Sequence, residues 1–312
     1  METSVIVLQQ VLVILLLLFV GGVSYKIGFI SEKTADQMAG FALKVVTPCV
    51  IIQAFQIEYD PQKLNNMLFA ALLAIITHII SIAIARCAFP SDKEGNRVRR
   101  FAAIYCNCGF MGIPLIEGAV GREGVLYACV YLVVFQAILW SHGVVTIKGG
   151  IKNIKFYKIF INAGTIGISI GLPLFFKGIT LPSVLSDTIG HIANLNTPLA
   201  MIVSGVFVAK SDIKMAFFSA KNYLAIFIRH ILVPMIMMAI MLFMPISETV
   251  TLTILLIAAC PTASAVTLFA SQYGSKSDLE CASRTLTLSN ILAVITVPLI
   301  VLVYGWLSAL VK

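Results

Sequence analysis

The residues of this chain that could do chemistry are a short set of polar side chains inside long apolar stretches. An ionisable or amide side chain is costly in hydrocarbon, so its presence there indicates binding or proton transfer. Arg229 could hold a carboxylate through two parallel hydrogen bonds, and His78 and His230 could take part in proton coupling near neutral pH. In the alternative interpretation, the arginine binds a backbone carbonyl or extends to a membrane interface, and both histidines are packed neutral rings. The other polar residues of this set are Lys44, Gln136, His142, Asn194, Asn196 and Asn290.

Two of the apolar stretches contain helix-breaking residues near their middle. Residues 107–114 read Asn-Cys-Gly-Phe-Met-Gly-Ile-Pro, and residues 260–264 read Cys-Pro-Thr-Ala-Ser. Proline removes a backbone donor and glycine loosens a helix, so both segments predict a broken helix. Ordinary proline kinks are the alternative. Because a break in hydrocarbon exposes backbone groups that need partners, we expect the two breaks to share a polar cavity. The predicted binding residues are Asn107, Gly109, Pro114, Pro261, Thr262, Ser264 and Arg229.

The apolar stretches lack the residues that several kinds of functional site would need. They contain no paired aspartates, and the acids near them fall near their ends, whereas a cation–proton antiporter needs a buried carboxylate. Coupling to Na⁺ or H⁺ stays open, because carbonyl, Asn and Thr oxygens at a broken helix can hold Na⁺. No histidine or carboxylate lies beside Cys106 and Cys108 to complete a metal site. The sequence therefore predicts no metal, no bound cofactor and no enzyme.

The elements that carry these residues are membrane helices by composition. Hydrophobic residues make up 59% of 312 positions and charged residues 12%, and the mean hydropathy is +0.99. This composition predicts an all-α integral membrane protein surrounded by the lipid bilayer. Ten stretches are long enough to cross it, at residues 4–24, 35–56, 66–88, 100–118, 124–147, 158–176, 187–209, 217–243, 249–272 and 283–309.

The second half of the chain repeats the first half. Five residues recur 150 positions later, namely Gly21, Gly28, Gly40, Thr47 and Pro48 at Gly171, Gly178, Gly190, Thr197 and Pro198. With five spans in each half, the halves enter the membrane from opposite sides, which predicts an inverted five-plus-five repeat. The predicted units are residues 1–147, a short basic linker 148–157 and residues 158–312, and the broken stretches are the fourth and the ninth.

The basic residues predict the orientation. With the N-terminus outside, sixteen Lys and Arg residues fall in inside loops, whereas Lys63, Arg122 and Lys177 fall outside. This bias agrees with the positive-inside rule and places both termini outside the cytoplasmic membrane. The net charge of +8 therefore belongs to membrane topology, and nucleic-acid binding is not predicted.

Three segments carry a resemblance to a known family. Residues 107–115, 197–209 and 288–299 resemble the auxin efflux carrier family of prokaryotes, which includes malate permeases and is related to the plant PIN carriers. The resemblance implies crossing broken helices four and nine, with Asn107 and Pro114 on the first crossover and Pro261 on the second. It also implies a scaffold of spans one, two, six and seven that forms a homodimer, and a moving transport domain of spans three to five and eight to ten. The long cytoplasmic loop of the plant carriers is absent here, and Thr267 stands where the repeat has Pro114.

The leading hypothesis is a secondary carrier of a small organic anion, malate-like or another carboxylate, that works by alternating access. The substrate would sit at the crossover of helices four and nine, with Arg229 supplying charge and His78 or His230 available for proton coupling. A Na⁺-coupled symporter of the bile-acid-carrier type is the alternative. A receptor, a channel or a membrane enzyme is less favoured.

Overall fold

The computed structural model describes residues 2–93, 95–150, 163–210 and 213–311. Within these ranges the chain is helical, apart from its connections and one residue-pair β-bridge. The helices are α1 (Glu2–Lys26), α2 (Glu32–Ala54), α3 (Pro61–Ala88), α4 (Asn96–Ile104), α5 (Cys108–Val120), α6 (Arg122–Lys148), α7 (Ala163–Phe176), α8 (Ser183–Lys210), α9 (Ala220–Leu242), α10 (Glu248–Ala259), α11 (Ala265–Tyr273) and α12 (Lys276–Val311). A single helical turn, Ile213–Ala216, precedes α9.

Seven of the described helices are long and apolar enough to cross a membrane, namely α1, α2, α3, α6, α8, α9 and α12. Three shorter apolar helices, α5, α7 and α10, accompany them. The chain is interrupted at residues 105–107, after Ile104, and at residues 260–264, after Ala259. The second interruption lies where the sequence predicts it, whereas the first precedes most of the predicted segment 107–114, which is helical from Cys108 onward. Most of the predicted linker 148–157 and the first residues of the sixth predicted span lie outside the described residues. The count of ten spans and the five-plus-five repeat stay predictions.

The matched Thr-Pro pairs have different local structures. Thr47 follows a π-helical segment, Ala42–Val46, and its hydroxyl donates to the Ala42 carbonyl at 3.0 Å. The hydroxyl thus bonds backbone near a proline, where the regular helical ladder is disturbed. In the second half, α8 is interrupted at residues 194–195, just before Thr197. The first pair therefore marks a bulge in a continuous helix and the second follows a break.

Two glycines of the repeat allow close helix packing. A Cβ on Gly21 of α1 would lie 2.0 Å from the Ile202 carbonyl oxygen of α8. A Cβ on its counterpart Gly171 of α7 would lie 2.9 Å from the Phe55 ring at the end of α2. The first span thus packs on the seventh and the sixth on the second. This reciprocal contact is the one that a two-fold relation between the halves requires.

Adding one methyl group between α1 and α8 is expected to destabilise the protein strongly. A Cβ on Gly205 of α8 would lie 2.0 Å from the Leu18 carbonyl oxygen, where only backbone can give way. We expect Gly205→Ala to lower the free energy of unfolding by about 3 kcal/mol, measured by unfolding in detergent. Gly22→Ala is the matched control on the same interface, since its Cβ would meet nothing closer than 3.5 Å. Equal stability of the two variants would contradict this packing.

Candidate functional site

The two chain breaks contact each other through their backbones. The Asn107 N–H donates to the Pro261 carbonyl at 2.7 Å, and the Ala263 N–H donates to the Tyr105 carbonyl at 2.9 Å. Between them, Cys106 and Thr262 form an antiparallel bridge. Each break thus supplies hydrogen-bond partners to the other, which satisfies backbone groups that hydrocarbon could not. We call residues 105–107 and 260–264 the crossover.

Side chains from neighbouring helices hold the crossover. The Thr262 hydroxyl donates to the Ala102 carbonyl of α4 at 3.1 Å, and its N–H donates to Ser289 Oγ of α12 at 2.9 Å. On the other side, Asn196 Nδ2 of α8 donates to the Gly109 carbonyl of α5 at 3.1 Å. Thr262 is fully buried and Asn107 is 6% exposed. Most of the crossover is therefore buried inside the protein, and Ser264 at its end is partly exposed.

The crossover brings together four half-helix ends. Helices α5 and α11 begin there, directly after Asn107 and Ser264, so their first N–H groups and positive dipole ends face it. Helices α4 and α10 end there, at Ile104 and Ala259, with C-terminal carbonyls and negative dipole ends. An anion is favoured at the first pair of ends and a cation at the second.

The Arg229 guanidinium lies at the C-terminal ends of α4 and α10, which carry the negative ends of the helix dipoles. Its side chain is fully buried, and its Nη1 donates to the Ile104 carbonyl at 2.8 Å. Its Nη2 donates to the Ala258 carbonyl, so one guanidinium bonds the C-termini of both α4 and α10. Its Nε has no partner among the described residues. This is the carbonyl-bound arrangement that the sequence left as the alternative to carboxylate binding, and the role of Arg229 as a substrate ligand stays a prediction.

His230 belongs to a hydrogen-bond chain that ends at the crossover. Its Nδ1 lies 2.8 Å from Thr296 Oγ1, whose hydroxyl donates to the Leu292 carbonyl at 3.1 Å. Nδ1 therefore carries the hydrogen in the assigned tautomer, and Nε2 accepts from the Ser289 hydroxyl at 2.8 Å. Since Ser289 also accepts the Thr262 N–H, every group of this chain is satisfied with a neutral ring. The geometry assigns His230 to positioning Ser289.

His78 has one free ring nitrogen. Its Nδ1 lies 2.7 Å from the Ala74 carbonyl of the preceding turn and donates to it, whereas its Nε2 is buried with no partner among the described residues. The ring packs against Tyr131, with centroids 5.5 Å apart, and against Tyr105 of the crossover at 6.2 Å. Proton coupling at His78, which stays a prediction, would therefore act at Nε2.

Several polar groups close to the crossover have no partner. Ser264 Oγ and Asn290 Nδ2 are buried without a hydrogen bond among the described residues. The Asn107 side chain also makes none within the described ranges. Asn290 directly follows Ser289, which contacts Thr262. Because buried polar groups are normally paired, these three residues are candidates for contact with a polar ligand.

The predicted site residues fall into two groups. Asn107, Pro261, Thr262 and Ser264 are in the crossover, and Gly109 contacts Asn196 beside it. Pro114 lies farther along α5, near the start of its regular α-helical part. In the part of the chain that the structure describes, no three His, Cys, Asp or Glu residues are grouped to hold a metal.

Sequence reasoning missed the roles of Ser289 and Thr296, because single hydroxyls in α12 resemble packing residues. It also missed that His142, Arg229 and His230 lie in π-helical segments, Leu139–Gly143 and Ile228–Leu232. Such bulges are frequent at functional sites.

In the part of the chain that the structure describes, several helices are fit to cross a membrane, and two further pairs of half-helices meet at a buried polar crossover. This is the architecture of a multi-pass membrane transport protein. The family described as membrane transport protein matches this chain over residues 6–160 and 150–301. The chain belongs to this family. It is also 25% identical over 210 residues to a protein of Methanothermobacter thermautotrophicus named an uncharacterized transporter, covering 64% of this chain and 67% of that protein.

Proposed function

We propose that this protein is a secondary transporter of a small organic anion, malate-like or another carboxylate, which binds at the crossover and is carried by alternating access. The observation that carries the proposal is the meeting of two half-helix N-termini, which begin directly after Asn107 and Ser264, with the unpartnered Ser264 hydroxyl at one of them and the unpartnered Asn290 amide next to Ser289 in α12. Backbone donors at helix N-termini are a ready site for a carboxylate.

The charges around the crossover support an anionic substrate. Each helix end carries roughly half an elementary charge, so the C-termini of α4 and α10 together carry about −1. The Arg229 guanidinium bonds both and offsets that charge. The N-termini of α5 and α11 then leave about +1 facing the crossover. One carboxylate would neutralise it, and in this arrangement Arg229 acts on the substrate through the charge balance of the site.

The remaining parts of the proposal concern assembly and coupling. Helices α1, α2, α7 and α8 form the scaffold and the surface for a homodimer, and the other helices form the moving transport domain. The chain lies in the cytoplasmic membrane with both termini outside. Coupling to H⁺ would involve His78 Nε2, which has no partner among the described residues, rather than His230, whose ring nitrogens are both bonded. Coupling to Na⁺ would use oxygens of the crossover.

A ligand screen tests the proposed function. The purified protein is unfolded thermally with a panel of mono- and dicarboxylates, with and without Na⁺, at two pH values. A substrate at ten times its Kd is expected to stabilise the folded protein by roughly 1.4 kcal/mol. The same acid should then show saturable counterflow in proteoliposomes, which distinguishes a carrier from a channel. A flat panel, with no counterflow for any acid, would contradict an organic-anion carrier.

A further inference from the structure

A second polar cavity lies outside the crossover, at the end of the helix bundle that carries the basic loops. Its volume is about 200 Å³, and it lies where α3 ends, α4 begins and α6 ends. The polar side chains that line it are those of Arg86, Asp92, Arg100, His142 and Thr146. At about 30 Å³ per water, the cavity has room for about seven waters, or for an anion of a few heavy atoms.

The central group of this cavity is the Arg100 guanidinium. Arg100 is only 4% exposed, and its Nη2 donates to Asp92 Oδ1. Its Nε and Nη1 are buried with no partner among the described residues. Arg86 Nη1 lies 3.5 Å from the same Asp92 oxygen. Two guanidinium groups thus share one carboxylate, which leaves a net positive charge and unused donors on a wall of the cavity.

Asp92 shows which chemistry the cavity accepts. The hydrogen bond from Arg100, together with the charges of Arg100, Arg86 and Arg97, holds the pKa of Asp92 below its ordinary value. The aspartate therefore stays ionised at neutral pH. The cavity already binds one carboxylate of the protein itself, and Nε and Nη1 of Arg100 keep N–H donors that could each hydrogen-bond a further anion.

We propose that this cavity is a second binding site for a small carboxylate, held by Arg100 and Arg86 and distinct from the crossover. The choice of an organic carboxylate, rather than another anion, rests on the proposed function. The cavity volume of about 200 Å³ suits a small anion, since pockets for drug-sized ligands usually measure 300–1,000 Å³.

The cavity adjoins the crossover. His142 lines it, and His142 Nδ1 lies 2.8 Å from the Tyr105 hydroxyl. The Tyr105 carbonyl accepts the Ala263 N–H inside the crossover. Ile104, which also lines the cavity, offers its carbonyl to Arg229. Tyr105 and Ile104 therefore connect the cavity to the proposed substrate site, as would be expected of an entry chamber on this side.

Two variants of the Asp92–Arg100 pair give the cavity opposite changes in charge. Both variants remove the same ion pair. If the pair only stabilised the fold, both variants would lower stability, and neither would shift carboxylate affinity opposite to the other. We expect Asp92→Asn to tighten the binding of L-malate and acetate, and Arg100→Gln to weaken it at least tenfold. Binding is measured by calorimetry on the purified protein in neutral detergent. Unchanged affinities, or a change in the same direction in both variants, would overturn the proposal.

A third variant guards against loss of folding. Arg100 is buried, whereas the Arg86 side chain is 62% exposed, so Arg86→Gln should fold normally. It is expected to weaken malate binding by a smaller factor than Arg100→Gln. Unchanged malate affinity in the folded Arg86→Gln protein would contradict a role for Arg86 in the cavity. It would also contradict the proposal that two arginines together hold the carboxylate.

The same titrations separate this cavity from the crossover and from lipid. They are carried out in an Asn107→Ala background, so that malate bound in the cavity is counted alone. If malate binding depends on Arg100 but the wild type shows no counterflow, the cavity proposal stands and the proposed function is rejected. If the wild type shows counterflow but no binding depends on Arg100, the proposed function stands and the cavity proposal is rejected. Nanodiscs of phosphatidylcholine and of phosphatidylglycerol provide the lipid comparison. Malate binding lost only in phosphatidylglycerol would show that an anionic headgroup fills the cavity, and would overturn a site for free carboxylate.

Discussion

Replacing Asn107 with alanine is expected to reduce carboxylate counterflow to the level of protein-free vesicles while the protein stays folded. The Asn107 side chain is buried at the crossover and has no partner among the described residues, so its removal leaves no protein group unsatisfied. Its backbone N–H bond to Pro261 persists in the variant. The lost hydrogen bond to a charged substrate is worth about 1.5–3 kcal/mol, or at least tenfold in affinity. Counterflow and the melting temperature are measured on the same preparation.

Asn66 provides the matched control for this variant. It is also 6% exposed, but its Nδ2 donates to the Tyr127 hydroxyl at 3.1 Å, away from the crossover. Asn66→Ala should therefore lower the melting temperature and keep its counterflow. Wild-type counterflow in Asn107→Ala would remove the Asn107 side chain from the mechanism, whatever the substrate is.

Arg229→Met is expected to cause the largest loss of stability of any single substitution described above. Methionine fills similar space but offers no donor, so the carbonyls of Ile104 and Ala258 would be left buried and unpaired. At about 1.5–3 kcal/mol for each hydrogen bond to a charged group, the loss is roughly 4 kcal/mol. The free energy of unfolding in detergent is the measurement, and complete absence of folded protein is its upper limit.

Two further variants serve as controls for the stability change in Arg229→Met. Arg284→Met removes a partly exposed arginine that pairs with Glu280 at 3.5 Å, and should change stability by less than about 0.5 kcal/mol. Arg229→Lys keeps the charge and should recover part of the stability. If it recovers stability but not carboxylate affinity, Arg229 contacts the substrate directly. Wild-type stability in Arg229→Met would show that the two carbonyl bonds contribute nothing.

The second break could be predicted from the sequence, because Pro261 acts locally on a helix. The first break could be placed only approximately, since it lies at residues 105–107, while Gly109, Gly112 and Pro114 after it are accommodated in a helix that starts with a π-helical turn. The contact between the breaks could be expected only from their matched positions in a repeat. The partners of Arg229 could not be predicted, since Ile104 and Ala258 are 125 and 29 residues away and only the packed chain brings their carbonyls together.

The same limit applies to the histidines. His78 and His230 look alike in sequence, as single imidazoles in apolar stretches. The structure separates them, because Ser289 and Thr296 of α12 satisfy both nitrogens of His230 while Nε2 of His78 is left free. Which hydroxyls face a ring depends on the rotation of α12, and composition or periodicity does not specify it.

The bonds that Arg229 and Thr262 make across the crossover have a consequence for the energetics of the proposed alternating-access cycle. These bonds link the two breaks, so if both breaks move together in that cycle, the bonds are present in both end states and cancel in the free-energy difference between them. The populations of the end states would then be set by the contacts between the moving helices and the others, which include the bond from Asn196 to the Gly109 carbonyl. A change of about 1.4 kcal/mol in those contacts would shift the ratio of the end states tenfold. It would alter the apparent Kd for substrate without touching a substrate contact.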